Sequence, residues 1–360
     1  MKDKVQDPEV LPLEADYRAA QEAAVLEVTD QGLLSLSAMV NSGAVDVSPQ
    51  FQRRDRWDVS QQSKLIESFL LNLPVPPVYL AEDAASIGSY AVIDGKQRLT
   101  AIAAFFADGF KLQALEQLKV ANGLTYSSFP PNLQSALGMK SLRVITLLRQ
   151  SDDNVKHEVF LRLNTGGEIL NPQEIRNVAY RGRLNDAIYE LAENKFLRQQ
   201  FKVIAPKSSG YRNMTDAEFV LRFLTLESSW RSFSGALRKA MDEYMNKNRF
   251  LNTRSVTEKK DLFNDCIETT QGIWGDESFK RPGRDQALAG MFDAQMISLS
   301  CISHSQRAEA RKKSVDIKTA TADLFANDPT FENSVRTATN TPEKVKYRIS
   351  ALLQVIEASL

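Results

Sequence analysis

The run Tyr90-Ala91-Val92-Ile93-Asp94-Gly95-Lys96-Gln97-Arg98-Leu99-Thr100-Ala101-Ile102 constrains the fold more than any other stretch of the chain. It reads as a buried strand, a tight turn at Asp94-Gly95, and a helix with Leu99, Ile102, Ala103 and Phe106 on one face. A strand that feeds a helix so directly belongs to a sheet with helices packed on it. The turn also sets two cations, Lys96 and Arg98, beside the backbone N–H groups of a helix N-terminus, which suits an anion such as phosphate. Asp94 followed by Gln97 fits an ordinary capping box equally well. On this stretch alone a ligand site and a well-made helix start are both open.

The segments on either side add to the sheet. Val45-Asp46-Val47 is expected as a first strand after a short helix over Leu34–Asn41, and Val78-Tyr79-Leu80 and Leu142–Leu148 as further strands. Between the first two strands lies Ser48-Pro49-Gln50-Phe51-Gln52-Arg53-Arg54-Asp55-Arg56-Trp57, dense in arginine with two aromatics. Arginine forks grip phosphate or carboxylate in pairs, although a solvated loop with one buried Trp accounts for the segment about as well. A helix opens after it with cap chemistry at Asp58 or Ser60 and an apolar face of Leu65, Ile66, Phe69 and Leu70. Further on, Asn164-Thr165-Gly166-Gly167 is a turn that permits close backbone approach, and Asn171-Pro172-Gln173-Glu174 has the pattern of a helix start. A connection between helices, or a polar turn lining the site opened by Asp94–Arg98, both fit it.

The remainder is read as helical. Thr215-Asp216-Ala217-Glu218 looks like a capping box, Arg284–Ser303 like a long helix, and Thr341-Pro342 opens a terminal helix. A helix over Val155–Leu163 carries His157. Residues 1–30 hold eight acidic and three basic side chains and are expected as a flexible leader with one short helix around Tyr17–Leu26. The domain expectation is therefore a leader at 1–30, a sheet domain at 31–150 and an α-helical domain at 151–360.

Charge balances at 45 against 45, so no whole-chain basic field announces nucleic acid. Local basic clusters remain, and Arg281, Arg284, Arg311 and Lys312 are the candidates for DNA contact. The two cysteines, Cys266 and Cys301, have no Cys or His at ligand spacing, which fits a reduced cytoplasmic protein. No apolar run reaches the length of a membrane span.

The combination resembles the DUF262 family, the domain that forms the N-terminal half of GmrSD-type modification-dependent restriction enzymes. The matching blocks are Phe51-Gln52-Arg53 with Trp57, Leu65-Ile66-Glu67-Ser68, Ile93–Thr100, and Leu163–Gly167 followed by Gln173–Asn177; Asp216–Leu224 also fits. Lys96 stands where the family has Gln, which keeps a donor and adds charge. The resemblance implies an α+β fold: a small ParB/sulfiredoxin-like mixed sheet with helices, followed by a mostly helical C-terminal domain. It further implies that Arg53 and Arg98 grip nucleotide phosphates. In that layout Gly95, Lys96 and Gln97 cradle them, Asp94 holds Mg²⁺ or orients water, and Gln52, Asn164, Thr165 and Gly166 line the pocket. Asp94, Gln97 and Arg98 are then the catalytic candidates.

With only His157 and His304, in unrelated surroundings, the sequence shows no His-Asn-His nuclease pattern. A partner chain is expected to supply cleavage, or the output is something else. The leading expectation is an Mg²⁺-dependent NTPase of a phage-defence or restriction system, whose nucleotide state controls DNA or partner engagement. The alternative is a ParB-like DNA clamp that binds nucleotide without hydrolysis. A ParB-like nuclease ranks last, since Asp55, Asp58 and Glu67 add only thin metal-ligand support to Asp94. Nucleotide, DNA, a separate nuclease subunit and a second copy of the chain are the partners considered.

Overall fold

Alternation of side chains along five strands organises the N-terminal half. The structure, a computed structural model, describes residues 10–47, 57–83, 87–151, 159, 162, 172–203 and 208–360. It separates into two units, Met1–Ala179 and Tyr180–Leu360. The Arg-rich segment with Gln52, Arg53 and Asp55, the residues Asn164, Thr165, Gly166 and Asn171, and His157 lie outside the described residues, as does most of the helix expected over Val155–Leu163.

The first unit runs α1 (Val10–Ala23), β1 (Leu26–Gly32), α2 (Leu33–Asn41), β2 (Val45–Asp46), α3 (Val59–Leu70), β3 (Val78–Glu82), β4 (Tyr90–Asp94), α4 (Lys96–Phe106), α5 (Pro131–Gly138), β5 (Ser141–Leu147) and α6 (Pro172–Ala179). The sheet order is β1-β5-β3-β4-β2. Pairing alternates across it: β1 and β5 are antiparallel, β5 and β3 parallel, β3 and β4 antiparallel, β4 and β2 parallel. The mixed sheet is as expected, with one correction. The helix expected around Tyr17–Leu26 ends at Ala23, and Leu26–Gly32 is an edge strand paired along its length with β5.

The central strands β3, β4 and β5 feed two cores, because successive side chains point to opposite faces. Val78, Leu80, Val92, Leu142 and Val144 face a cluster with Leu33 and Leu36 of α2, Leu65, Ile66 and Phe69 of α3, and Leu99, Ile102 and Phe105 of α4. Ala81, Ala91, Ile93 and Leu147 face the other way, onto Ile175 of α6. Each large side chain fully buried in this way contributes about 1.5–3 kcal/mol. α3 starts as its sequence dictates, since Asp58 and Gln61 form a reciprocal capping box. Its buried Glu67 accepts from the amides of Gln117 (3.0 Å) and Leu118 (2.8 Å) and so holds the loop that follows α4. Asp58 and Glu67 are thus structural acceptors.

The second unit is helical: α7 (Arg183–Ala192), α8 (Lys195–Gln200), α9 (Ser209–Arg212), α10 (Thr215–Ser229), α11 (Leu237–Asn248), α12 (Thr253–Trp274), α13 (Ala289–Ser300), α14 (His304–Lys312), α15 (Ser314–Asn327), α16 (Pro329–Arg336) and α17 (Pro342–Ser359). Two expectations are corrected. The helix read over Arg284–Ser303 runs only from Ala289 to Ser300. The box read at Thr215–Glu218 does not form, because Met214 is the cap residue, in left-handed conformation (φ 54°), and Thr215 is already helical; Asp216 pairs with Arg198 at 2.9 Å. No helix of the described residues is long and apolar enough to cross a membrane.

Buried charge holds these helices. Asp293, on α13, is fully buried and takes a two-pronged bond from Arg222 of α10 (2.6 and 2.7 Å) and another from Arg348 of α17. Arg348, itself fully buried, also donates to the carbonyls of Ser334 (2.9 Å) and Thr339 (2.6 Å). Asp265 of α12 plays the same part nearer the surface, bonded by Arg307 (2.5 Å), Arg311 (3.0 Å) and His304 (2.7 Å).

Burial by itself raises a carboxyl pKa, but at both sites the arginines outweigh it. The Asp293 carboxyl is held below the usual carboxylate range, and that of Asp265 at about 2. A carboxylate with a lowered folded pKa stabilises above its unfolded value, near 4, and that stability is lost as pH falls through the folded value. Thermal melts between about pH 5 and pH 2 are expected to show a falling Tm, less steep in Asp265→Asn. Asp293→Ala strands two buried guanidinium groups and is expected to cost about 3–5 kcal/mol in urea unfolding.

Candidate functional site

The strand–turn–helix at β4 and α4 is shaped by one glycine. Gly95 is the N-cap residue of α4, at φ 93° and ψ 14°, a left-handed conformation that a side chain resists. A Cβ placed there would lie 2.4 Å from Val78 Cγ1 of β3. The turn is therefore pressed against the neighbouring strand. β4 enters it through an irregular register, since Leu80 pairs with Val92 while Tyr79 pairs with Asp94. Such bulges re-aim the residue beyond them. No side chain caps α4, so the capping box that Asp94 and Gln97 fit in sequence does not form.

Both side chains have other partners. Gln97 Oε1 accepts the amide of Trp57 at 3.2 Å, while the Trp57 carbonyl accepts Gln62 Nε2 at 2.8 Å. This ties the end of the Arg-rich segment to the first turn of α4. Asp94 Oδ2 accepts from Arg98 Nη2 at 2.5 Å. Arg98 Nη1 meanwhile donates to the carbonyls of Pro76 (2.6 Å) and Pro77 (2.9 Å). Prolines disrupt regular pairing before β3, and the Arg98 guanidinium takes up the carbonyls left there. Its side chain is 12% exposed and that of Asp94 39%. The pair thus has a rigid, buried member and a member open to solvent.

Asp94, Gly95, Lys96, Gln97 and Arg98 are accordingly gathered at one end of the sheet. α6 lies against β4 through Ile175, and in the same helix Gln173, Arg176 and Asn177 are almost fully buried. The blocks around Asp94 and around Gln173–Asn177, far apart in sequence, meet in this way. Arg98's role as clamp of the Pro76 and Pro77 carbonyls was not legible in the sequence, although Pro-Val-Pro-Pro just before a strand is a signal of carbonyls in need of donors.

In the second unit, Arg311 is spent on Asp265 and on Thr269 Oγ1 (2.6 Å), and Lys312 pairs with Glu309 at 2.9 Å. Arg281 and Arg284 lie on a surface loop. Cys266 is buried, and burial pushes its thiol up to about 12, so it is inert at neutral pH. Among the described residues no group of three or more His, Cys, Asp or Glu side chains could hold a metal ion. The turn offers a single carboxylate, which suits Mg²⁺ carried mainly by phosphate oxygens rather than a metal caged by protein.

Gly95→Ala combines left-handed strain with overlap on Val78 and is expected to lower unfolding free energy by at least about 2 kcal/mol, read in urea melts.

Residues 36–181 match the model of the family described as GmrSD restriction endonuclease, N-terminal domain. The match ends within two residues of the boundary between the units. No curated protein and no solved structure matches the chain.

Proposed function

We propose, from the match of residues 36–181 to the GmrSD N-terminal domain model, that the chain is a component of a restriction-type system whose first unit binds a nucleoside triphosphate at the Asp94–Arg98 turn. The observation that carries the reading is the state of Arg98. Its Nη1 is fixed on two proline carbonyls, while its Nη2 holds the half-exposed carboxylate of Asp94. A phosphate oxygen can take the place of that carboxylate without moving the guanidinium, because the proline carbonyls keep it in position. Asp94 is in this sense an internal stand-in for the ligand.

Displacing Asp94 gives the site its second function. The freed carboxylate can orient a water toward the terminal phosphate or face a Mg²⁺ ion that arrives with the nucleotide. Lys96 adds charge at the helix N-terminus, whose N–H groups favour anions. Mg²⁺, when bound, would neutralise charge that builds on the phosphate oxygens. Gln97, bonded to the Trp57 amide, carries the event at the turn to the end of the Arg-rich segment. In this reading Gln52, Arg53, Asn164, Thr165 and Gly166 complete the pocket, and nucleotide state controls engagement of DNA or of a partner.

The test is calorimetric titration of ATP, GTP, CTP and UTP with Mg²⁺, with phosphate release followed in parallel. Loss of one charge-assisted contact in Lys96→Ala is expected to weaken binding roughly 10- to 100-fold. Asp94→Asn is expected to bind as tightly as wild type, or more so, and to lose turnover. Arg98→Ala removes the phosphate ligand and the clamp on the prolines together, so both affinity and Tm should fall. Binding without turnover in the wild type identifies the clamp. Absence of binding to all four nucleotides leaves the turn as structure only.

A further inference from the structure

Two loops of the second unit meet over a stack of phenylalanines. α8 ends in a Schellman motif, with the Val203 amide donating to the Arg198 carbonyl (2.8 Å) and the Lys202 amide to that of Gln199 (3.2 Å). Its left-handed position, where glycine is usual, holds Lys202 at φ 55°. The second loop is a small hairpin closed by a bridge between Lys280 and Ala287. At its tip the Arg284 amide donates to the Arg281 carbonyl at 3.1 Å, around Pro282 and a left-handed Gly283 (φ 69°). Proline then glycine in the two central positions is the pattern of a type II turn.

Both loops are rigidly based. The Phe201 ring stacks on Phe219 (centroids 3.7 Å) and on Phe279 (5.6 Å), and Phe292 closes the edge. Phe279 is fully buried, its amide donates to Gln295 Oε1 at 2.7 Å, and its carbonyl accepts the Leu288 amide at 2.8 Å. Asp285 bridges the loops, taking Lys280 Nζ at 2.7 Å and Lys202 Nζ at 3.2 Å.

The charge on these loops does not balance. Lys202, Lys280, Arg281 and Arg284 stand against the one carboxylate of Asp285. Arg281 and Arg284 occupy the first and last positions of the turn, which lie less than about 7 Å apart. Neither has a side-chain partner among the described residues. Two arginines on a short turn, beside Lys202, concentrate positive charge on one small surface, which attracts an anion. Consecutive phosphates of one strand offer adjacent anions with several acceptor oxygens each.

We propose that the 280–287 hairpin, with Lys202, grips the phosphate backbone of duplex DNA. The inference rests on the restriction-type reading only in taking DNA as the polyanion, and it does not involve the nucleotide turn. The hairpin would fix the position of the second unit on DNA without reading sequence.

The test is fluorescence anisotropy of a labelled duplex of about 20 base pairs, titrated with the full chain between about 50 and 200 mM salt, without nucleotide or Mg²⁺. The double variant R281A/R284A is expected to bind about tenfold more weakly or worse, and the slope of log K against log salt to shrink by about 2. Asp285→Asn removes the opposing carboxylate and is expected to tighten binding. Both changes are on the surface, and unaltered thermal melts would confirm that the fold is kept. A wild type that does not bind the duplex, or a double variant with the wild-type slope, overturns the proposal. Either result leaves the calorimetric reading of the nucleotide turn untouched.

Discussion

The first unit depends on a contact with no room in it. Val78 of β3 occupies the space where any residue other than glycine at position 95 would put its Cβ. That close approach sets the distance between the strand pair and the start of α4. The segment leaving Pro76 and Pro77 is thereby within reach of Arg98, and Asp94 within reach of the same guanidinium. Remove the contact and three partners of one arginine lose their common geometry. The candidate site is thus made of the same bonds that hold the sheet to its helix.

The two units use arginine–carboxylate pairs in opposite ways. In the second unit Asp293 is sealed between two guanidinium groups, and breaking that cluster by losing one member strands charge in a medium that cannot solvate it. That cluster serves cohesion. Between Arg98 and Asp94, one side is sealed and the other is open to water. Water can solvate a displaced Asp94 carboxylate, so the proposed exchange of that partner for a phosphate would leave no buried charge unpaired on that side. Burial on one side only separates a replaceable pair from a permanent one.

Much of this was legible in the residues. β3, β4, β5 and α4 follow from alternation and helical spacing, and the Asp58 cap from its own chemistry. β1 was missed for a physical reason: as an edge strand it has Leu26 and Val28 more than half exposed, so its residues lack the burial that makes a strand pattern distinct. The Thr215–Glu218 box failed because left-handed Met214 is the cap residue, which puts Thr215 inside the helix rather than at its cap. The gathering of Asp94, Gly95, Gln97 and Arg98 was visible in sequence. What tertiary structure adds is that Arg98 serves the proline carbonyls as well, a duty that no spacing encodes. The cationic cluster at Arg311 and Lys312 looked open in sequence, but acids three and many residues away neutralise it.

The bond from the Trp57 amide to Gln97 has an optical corollary. The chain has three tryptophans, and Trp230 and Trp274 belong to the second unit, where both are buried. Trp57 is then the single indole of the first unit, half-buried against the sheet core and hinged on the first turn of α4. Near-ultraviolet emission from that unit comes chiefly from one ring, and the ring is fastened to the turn itself. The domain carries its own spectroscopic label at the place where a ligand would be felt.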